Sequence, residues 1–147
     1  MGKKVFIIQH SSEAVPGNIT EGLKKLGVTF ELHKIFENPL FSPPKKYDGV
    51  IILGGPMSVN DEDKRLWINA ECEFIRHLVK KEIPLLGICL GGQLIAKSFG
   101  AQIKKSDVPE LGWGTIYPTE YAYKDKLFAV NKSLNVFIIG IKYKLII

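Results

Sequence analysis

Cysteine, histidine and long apolar runs are all scarce in this chain, and each scarcity excludes something. Two cysteines, Cys72 and Cys89, are too few for a disulfide framework. A reducing cytoplasm is therefore the expected compartment. No apolar stretch reaches the roughly 18 to 20 residues of a membrane span. The run Val5–Ile8 is too short for a secretory leader, and no small-residue cleavage site follows it. Acidic residues number 15 against 20 Lys and Arg, leaving a formal charge of +5. The lysines stand singly or in dispersed pairs, such as Lys3-Lys4, Lys24-Lys25, Lys45-Lys46, Lys80-Lys81 and Lys104-Lys105. A nucleic-acid footprint needs them clustered, so neither nucleic acid nor membrane is an expected partner. Gly87-Ile-Cys-Leu-Gly-Gly lacks the dinucleotide glycine spacing, and no cofactor or metal is expected. The three histidines, His10, His33 and His77, all precede Cys89.

What the chain has is a stretch around which the rest is organised, Ile83–Gly100. It opens with the apolar run Ile83–Ile88, fit for a buried parallel strand despite Pro84. A helical pattern follows from Leu90, closed by Gly100 as C-terminal cap. Cys89 sits at the junction, with Gly87 and Gly91 on either side in a G-x-C-x-G pattern. This is the thiol counterpart of the strand–turn–helix nucleophile elbow. A tight turn of that kind strains the backbone, and small neighbours relieve the crowding. The helix that begins after Cys89 aims unpaired N–H groups at the sulfur, an arrangement that favours thiolate. The N–H of Leu90 is the candidate donor to an oxyanion during acyl transfer. The competing reading is a structural cysteine at a strand end, since free cysteine is often a small core residue.

The remaining pattern is that of one domain with 46% hydrophobic residues, enough for a core. Lys3–His10 reads as a central first strand, and Asn18 as N-cap of a short helix over Ile19–Leu26. Val28–Ile35 and Gly49–Leu53 read as further strands, separated by the proline-rich, irregular segment Asn38–Tyr47. Asp61–Lys81 is expected as one long amphipathic helix, acidic at its start and basic at its end. Cys72 falls on its apolar face, as core, and His77 is a solvated or boundary residue. Ala101–Lys105 and Leu111–Pro118 read as strands, and Leu127-Phe128 as a short apolar contact. Parallel strands alternating with helices predict a doubly wound α/β sheet in three layers, flavodoxin-like in broad class. Open parallel sheets place their sites at the C-terminal strand edge, where Gly54-Gly55-Pro56 follows the third strand. An ordinary turn is the alternative for that tripeptide.

The segment GICLGGQ resembles the nucleophile motif of class I glutamine amidotransferases, and Gly54-Gly55-Pro56-Met57-Ser58-Val59 is similar to their oxyanion loop. Gln9-His10, Glu13–Gly17, Gln93–Ala101, Leu111-Gly112-Trp113-Gly114 and Thr119 add to the likeness. It points to the stand-alone branch related to the glutaminase part of GMP synthase. The resemblance implies Cys89 as nucleophile, the N–H groups of Gly55 and Leu90 as oxyanion hole, and Gln93 as a substrate contact. It implies glutamine or a γ-glutamyl small molecule as ligand and an ammonia-accepting synthetase as partner.

A cysteine nucleophile needs a base, usually a histidine oriented by a carboxylate. The family places these downstream of the cysteine, where this sequence has no histidine. His10 lies at a strand edge near the expected site but does not match the family's catalytic position. Three functions follow: glutamine hydrolysis through a Cys89 thioester, impaired for want of the His/Glu part; a γ-glutamyl or peptide hydrolase of the same fold; or a non-catalytic remnant or binding module. The resemblance runs from about Lys4 to Phe137, and residues 138–147 read as an aberrant tail. A frameshift or truncation of the gene is the expectation there, and a genuine short paralogue with its own terminal strand the rival. The domain is thus expected to be single, over 1–147, and incomplete.

Overall fold

The computed structural model describes residues 2–41, 47–117, 120, 122–124 and 134–146. The chain divides into two compact units, one of residues 1–104 with 145–147, the other of residues 105–144.

In the first unit, strands β1 (Lys4–Gln9), β2 (Thr29–Lys34), β3 (Gly49–Ile52) and β4 (Leu85–Gly87) form one sheet in the order β2-β1-β3-β4. Every pairing is parallel, as the near-continuous apolar runs predict. Helices α1 (Asn18–Lys25), α2 (Trp67–Lys80) and α3 (Leu90–Ser98) connect the strands. Ile7, Ile8, Val50 and Ile52 are buried in the sheet, and α2 and α3 bury Ile68, Ile75, Leu78, Leu90 and Leu94. These aliphatic side chains at strand and helix spacing form the core, each contributing about 1.5–3 kcal/mol through burial.

The register of this sheet fixes the site. Ile8 stands opposite Ile52, and Ile52 opposite Gly87. The ladder runs one step further: the Leu53 N–H donates to the Ile8 carbonyl (3.0 Å) and the Ile88 N–H to the Ile52 carbonyl (2.9 Å). The residues next in line, His10, Gly54 and Cys89, therefore leave the sheet along one edge. Pro84 does not weaken β4, because the ladder uses its carbonyl, which accepts from the Val50 N–H at 2.9 Å.

Asn18, expected as a helix cap, is instead the first residue of α1, with Gly17 in the cap position. Two larger expectations shift. The helix expected over Asp61–Lys81 begins only at Trp67. Polar side chains hold the preceding segment in turns: the Ser58 N–H donates to the Asp61 carboxylate (3.2 Å) and the Asn60 N–H to Ser58 Oγ (3.1 Å). The acidic residues consequently precede α2 instead of occupying its first turn. The second shift is in β4, which is shorter and less buried than its apolar run suggests. It ends the strand order, and Leu86 and Ile88 are partly exposed.

The second unit holds most of β5 (Gln102–Ile116) and β6 (Leu134–Ile146), which pair as a two-stranded sheet. The stretches Ala101–Lys105 and Leu111–Pro118 thus belong largely to one long strand, and residues 138–146 lie in a strand. Gly112 has φ 122°, a conformation open to glycine in the middle of β5. Thr119 and Leu127-Phe128 lie outside the described residues.

Candidate functional site

Cys89 occupies the turn between β4 and α3 with φ 54° and ψ −109°. Positive φ is uncommon for a residue with a β-carbon, and such strain persists only where the surrounding structure supports it. The Ile88 carbonyl accepts from the Gly91 N–H (3.0 Å), and the Cys89 carbonyl accepts from the Gln93 N–H (3.1 Å), so the turn passes directly into the helix. The flanking glycines are required by space. A β-carbon on Gly91 would strike the carbonyl of Ile52, lying 2.7 Å from its carbon, and one on Gly87 would lie 2.6 Å from the Gly92 nitrogen. Helix α3 thereby packs its first turn on the ends of β3 and β4, and the Cys89 thiol is left exposed.

The loop after β3 faces this turn. A β-carbon on Gly54 would be 3.4 Å from Cys89 Cβ. One on Gly55 would be 2.9 Å from Leu90 Cδ2, 3.1 Å from His10 Cβ and 2.5 Å from Met57 Sδ. A side chain there would have to displace Met57 and Leu90. The structure thus brings together Cys89, Leu90 and the Gly54-Gly55 loop, and places Gln93 in the first turn of α3. The first N–H groups of a helix have no intrahelical partner, so that of Leu90 is available to a ligand at this edge.

His10 also reaches this neighbourhood, but from below. It is buried (1% exposed), and its Nε2 meets both carboxylate oxygens of Glu71, at 3.0 and 3.2 Å. Its ring lies 5.1 Å from that of Trp67, inclined by 34°. Burial pushes the Glu71 carboxyl up from its ordinary range, although the neighbouring His10 opposes the shift. Sequence reasoning passed over Glu71. The available signal was its place three residues after Ile68 and four before Ile75, a charge inside the apolar stripe of α2.

The other titratable clusters lie elsewhere. Lys4 and Glu31 pair at 2.7 Å, and burial, with a hydrogen bond to Glu31, raises Tyr47 to about 12. Burial lowers His33 against the opposing pull of Glu31. His77 is exposed and Cys72 buried on α2, as their helical positions suggest. Among the described residues, no group of three or more His, Cys, Asp or Glu is placed to hold a metal ion. No helix of the described residues is long and apolar enough to cross a membrane.

Residues 9–137 match the family described as Glutamine amidotransferase class-I. Over 99 residues the chain is 37% identical to a glutamine-hydrolyzing GMP synthase subunit of Sulfolobus acidocaldarius, a match that covers 67% of this chain and 48% of that protein. The chain thus spans about half the length of this curated relative. Its fold matches a glutamine amidotransferase of Thermotoga maritima with a TM-score of 0.85 and 26% identity, over 99% of this chain and 63% of the other. A glutamine amido transferase of Methylobacillus flagellatus gives a TM-score of 0.86 and 28% identity, over 100% and 58%.

Proposed function

This chain belongs to the class I glutamine amidotransferase family, and from that premise we propose that it carries the acylation half of a glutaminase site. Cys89 is the nucleophile, the N–H groups of Gly55 and Leu90 form the oxyanion hole, and Gln93 contacts the substrate. The Cys89 sulfur attacks the side-chain amide carbon of glutamine, and the C=O electrons move onto oxygen. Collapse of this intermediate re-forms the carbonyl and breaks the C–N bond, giving a thioester. The proton shed by the Cys89 thiol reaches the leaving nitrogen through water, so that it departs as ammonia, and a second water hydrolyses the thioester to glutamate and restores the thiol.

The observation that supports this reading most is the approach of the Gly54-Gly55 loop to a cysteine held at positive φ on a strand-to-helix turn. Such preorganised donors stabilise the charge that develops on the carbonyl oxygen. Proton delivery is the weak step in these 147 residues, because no histidine follows Cys89 and His10 Nε2 is engaged by Glu71. Turnover of glutamine is therefore slow, whereas acylation by a substrate whose leaving group needs no proton is not. The ammonia acceptor is a synthetase, a role we extend from the Sulfolobus relative, whose name makes it one part of a GMP synthase.

The γ-p-nitrophenyl ester of glutamate separates the two steps. The expected result is a burst of nitrophenolate with one glutamyl group on Cys89 by mass spectrometry, with little ammonia released from glutamine. Absence of the adduct, or an undiminished burst in Cys89→Ser, overturns the proposal. Rapid ammonia release from glutamine, abolished in Cys89→Ser, overturns the impairment alone. Hydrolysis of γ-glutamyl peptides in preference to glutamine would favour the hydrolase reading instead.

A further inference from the structure

The geometry points to His10 and Glu71 as positioning residues that set the oxyanion side of the Cys89 site from beneath. This inference rests on the acylation chemistry proposed above and names what holds its backbone donors in place.

Helix α2 presents Trp67 and Glu71, one turn apart, to the same imidazole. The bifurcated contact at Nε2 fixes one end of the ring, and the Trp67 indole packs beside it. Through its β-carbon the same histidine, with Leu90 Cδ2, lines the space that a side chain on Gly55 would need. The space beside the Gly55 α-carbon is therefore filled by a side chain from the end of β1 and one from the start of α3. Anchoring the imidazole holds the end of β1, and with it the His10 β-carbon beside Gly55.

The pair is poorly explained as a stabilising device. Glu71 and His10 are both withdrawn from water, and His10 Nδ1 is buried without a hydrogen-bond partner among the described residues. Buried ionisable pairs recover their desolvation cost only when every polar atom is satisfied, and an apolar replacement is often as stable. What such a pair supplies is a fixed direction and distance. That is what an oxyanion donor needs, since misplacement by about 1 Å costs on the order of a hundredfold in rate.

The test compares two reactions of one thiol. Alkylation of Cys89 by iodoacetamide passes through no oxyanion, whereas acylation by the γ-p-nitrophenyl ester of glutamate does. In His10→Gln and Glu71→Leu we expect acylation to fall by about ten- to a hundredfold while alkylation stays within about twofold. Glu71→Gln keeps an acceptor for the imidazole and should restore most of the acylation rate, and it serves if Glu71→Leu does not fold. Circular dichroism establishes the fold of each variant. Unchanged acylation in folded variants overturns the inference, and so does a parallel fall in both reactions, which signals general loosening of the turn. If the parent protein itself is not acylated, the functional reading fails and this inference falls with it.

Discussion

Cys72 and Cys89 are the chain's two thiols, set on successive segments in opposite circumstances. Cys72 lies in the middle of α2, 5% exposed, and burial pushes its thiol up from the ordinary 9.0 despite an opposing contact with Ser98. Cys89 lies at the mouth of α3, exposed, with its backbone at φ 54°. Cys72 is set by side-chain packing within a helix, Cys89 by backbone packing between helix and sheet. The same element is therefore buried or presented according to where the chain places it, and the glycines decide the second case.

Gly91→Ala should break this contrast most severely. The new methyl group meets the backbone of Ile52, which a ladder bond to Ile88 holds in place. A loss of about 3 kcal/mol is expected, readable as a lower urea midpoint, with the two thiols becoming similarly reactive. Next in size is the contrast itself. With limiting iodoacetamide at neutral pH, Cys89 should label at least about a hundredfold faster than Cys72, which must wait for local opening. Mass mapping reads the ratio, and equal labelling of the folded protein would show that Cys72 is not shielded.

Ser98→Ala sharpens the comparison from the buried side. Ser98 Oγ donates to the Leu94 carbonyl at 2.7 Å, and its loss should cost about 1 kcal/mol. Since the Ser98 contact lowers the Cys72 thiol, its removal raises that thiol further. The sign follows for stability. A raised thiol contributes fully below 9.0 and is lost as pH climbs through its folded value, so Ser98→Ala extends this window upward. Thiolate absorbance during alkaline titration measures it.

The smallest effect joins the two regions. Lys97, at the end of α3, pairs with Glu62, in the turns leading into α2. The hydrogen bond from Lys97 holds the Glu62 carboxyl below its ordinary 4.5. Lys97→Met should cost about 0.5 kcal/mol at neutral pH. Because a lowered carboxyl stabilises above its unfolded value and ceases to as pH falls through the folded one, that difference should vanish in acid. Melting curves of both proteins at neutral and acidic pH check this.

Much of the site was legible because it is built from backbone. Gly87, Cys89 and Gly91 announce a crowded turn by their spacing, and an apolar run ahead of them announces a parallel strand. Gly54-Gly55 is readable for the same reason, since bare backbone at a strand end implies close approach. The His10–Glu71 pair was not legible. Its partners stand 61 residues apart, and nothing local says that a glutamate on an apolar stripe meets a histidine at the end of another element. The start of α2 was misread because Ser58, Asn60 and Asp61 satisfy one another, a competition that helical periodicity does not register.

The placement of Cys89 is, finally, a matter of measured length. Between the carbonyl of Pro84 and the N–H of Ile88, β4 is fastened at both ends to β3. One residue added there would displace the thiol by about 3.3 Å and turn it to the opposite face of the sheet. The strand is thus a ruler cut to one setting. Substitutions that respect the glycines leave that setting intact, whereas a single inserted or deleted residue, however well matched in character, would take the sulfur out of reach of the Gly54-Gly55 loop.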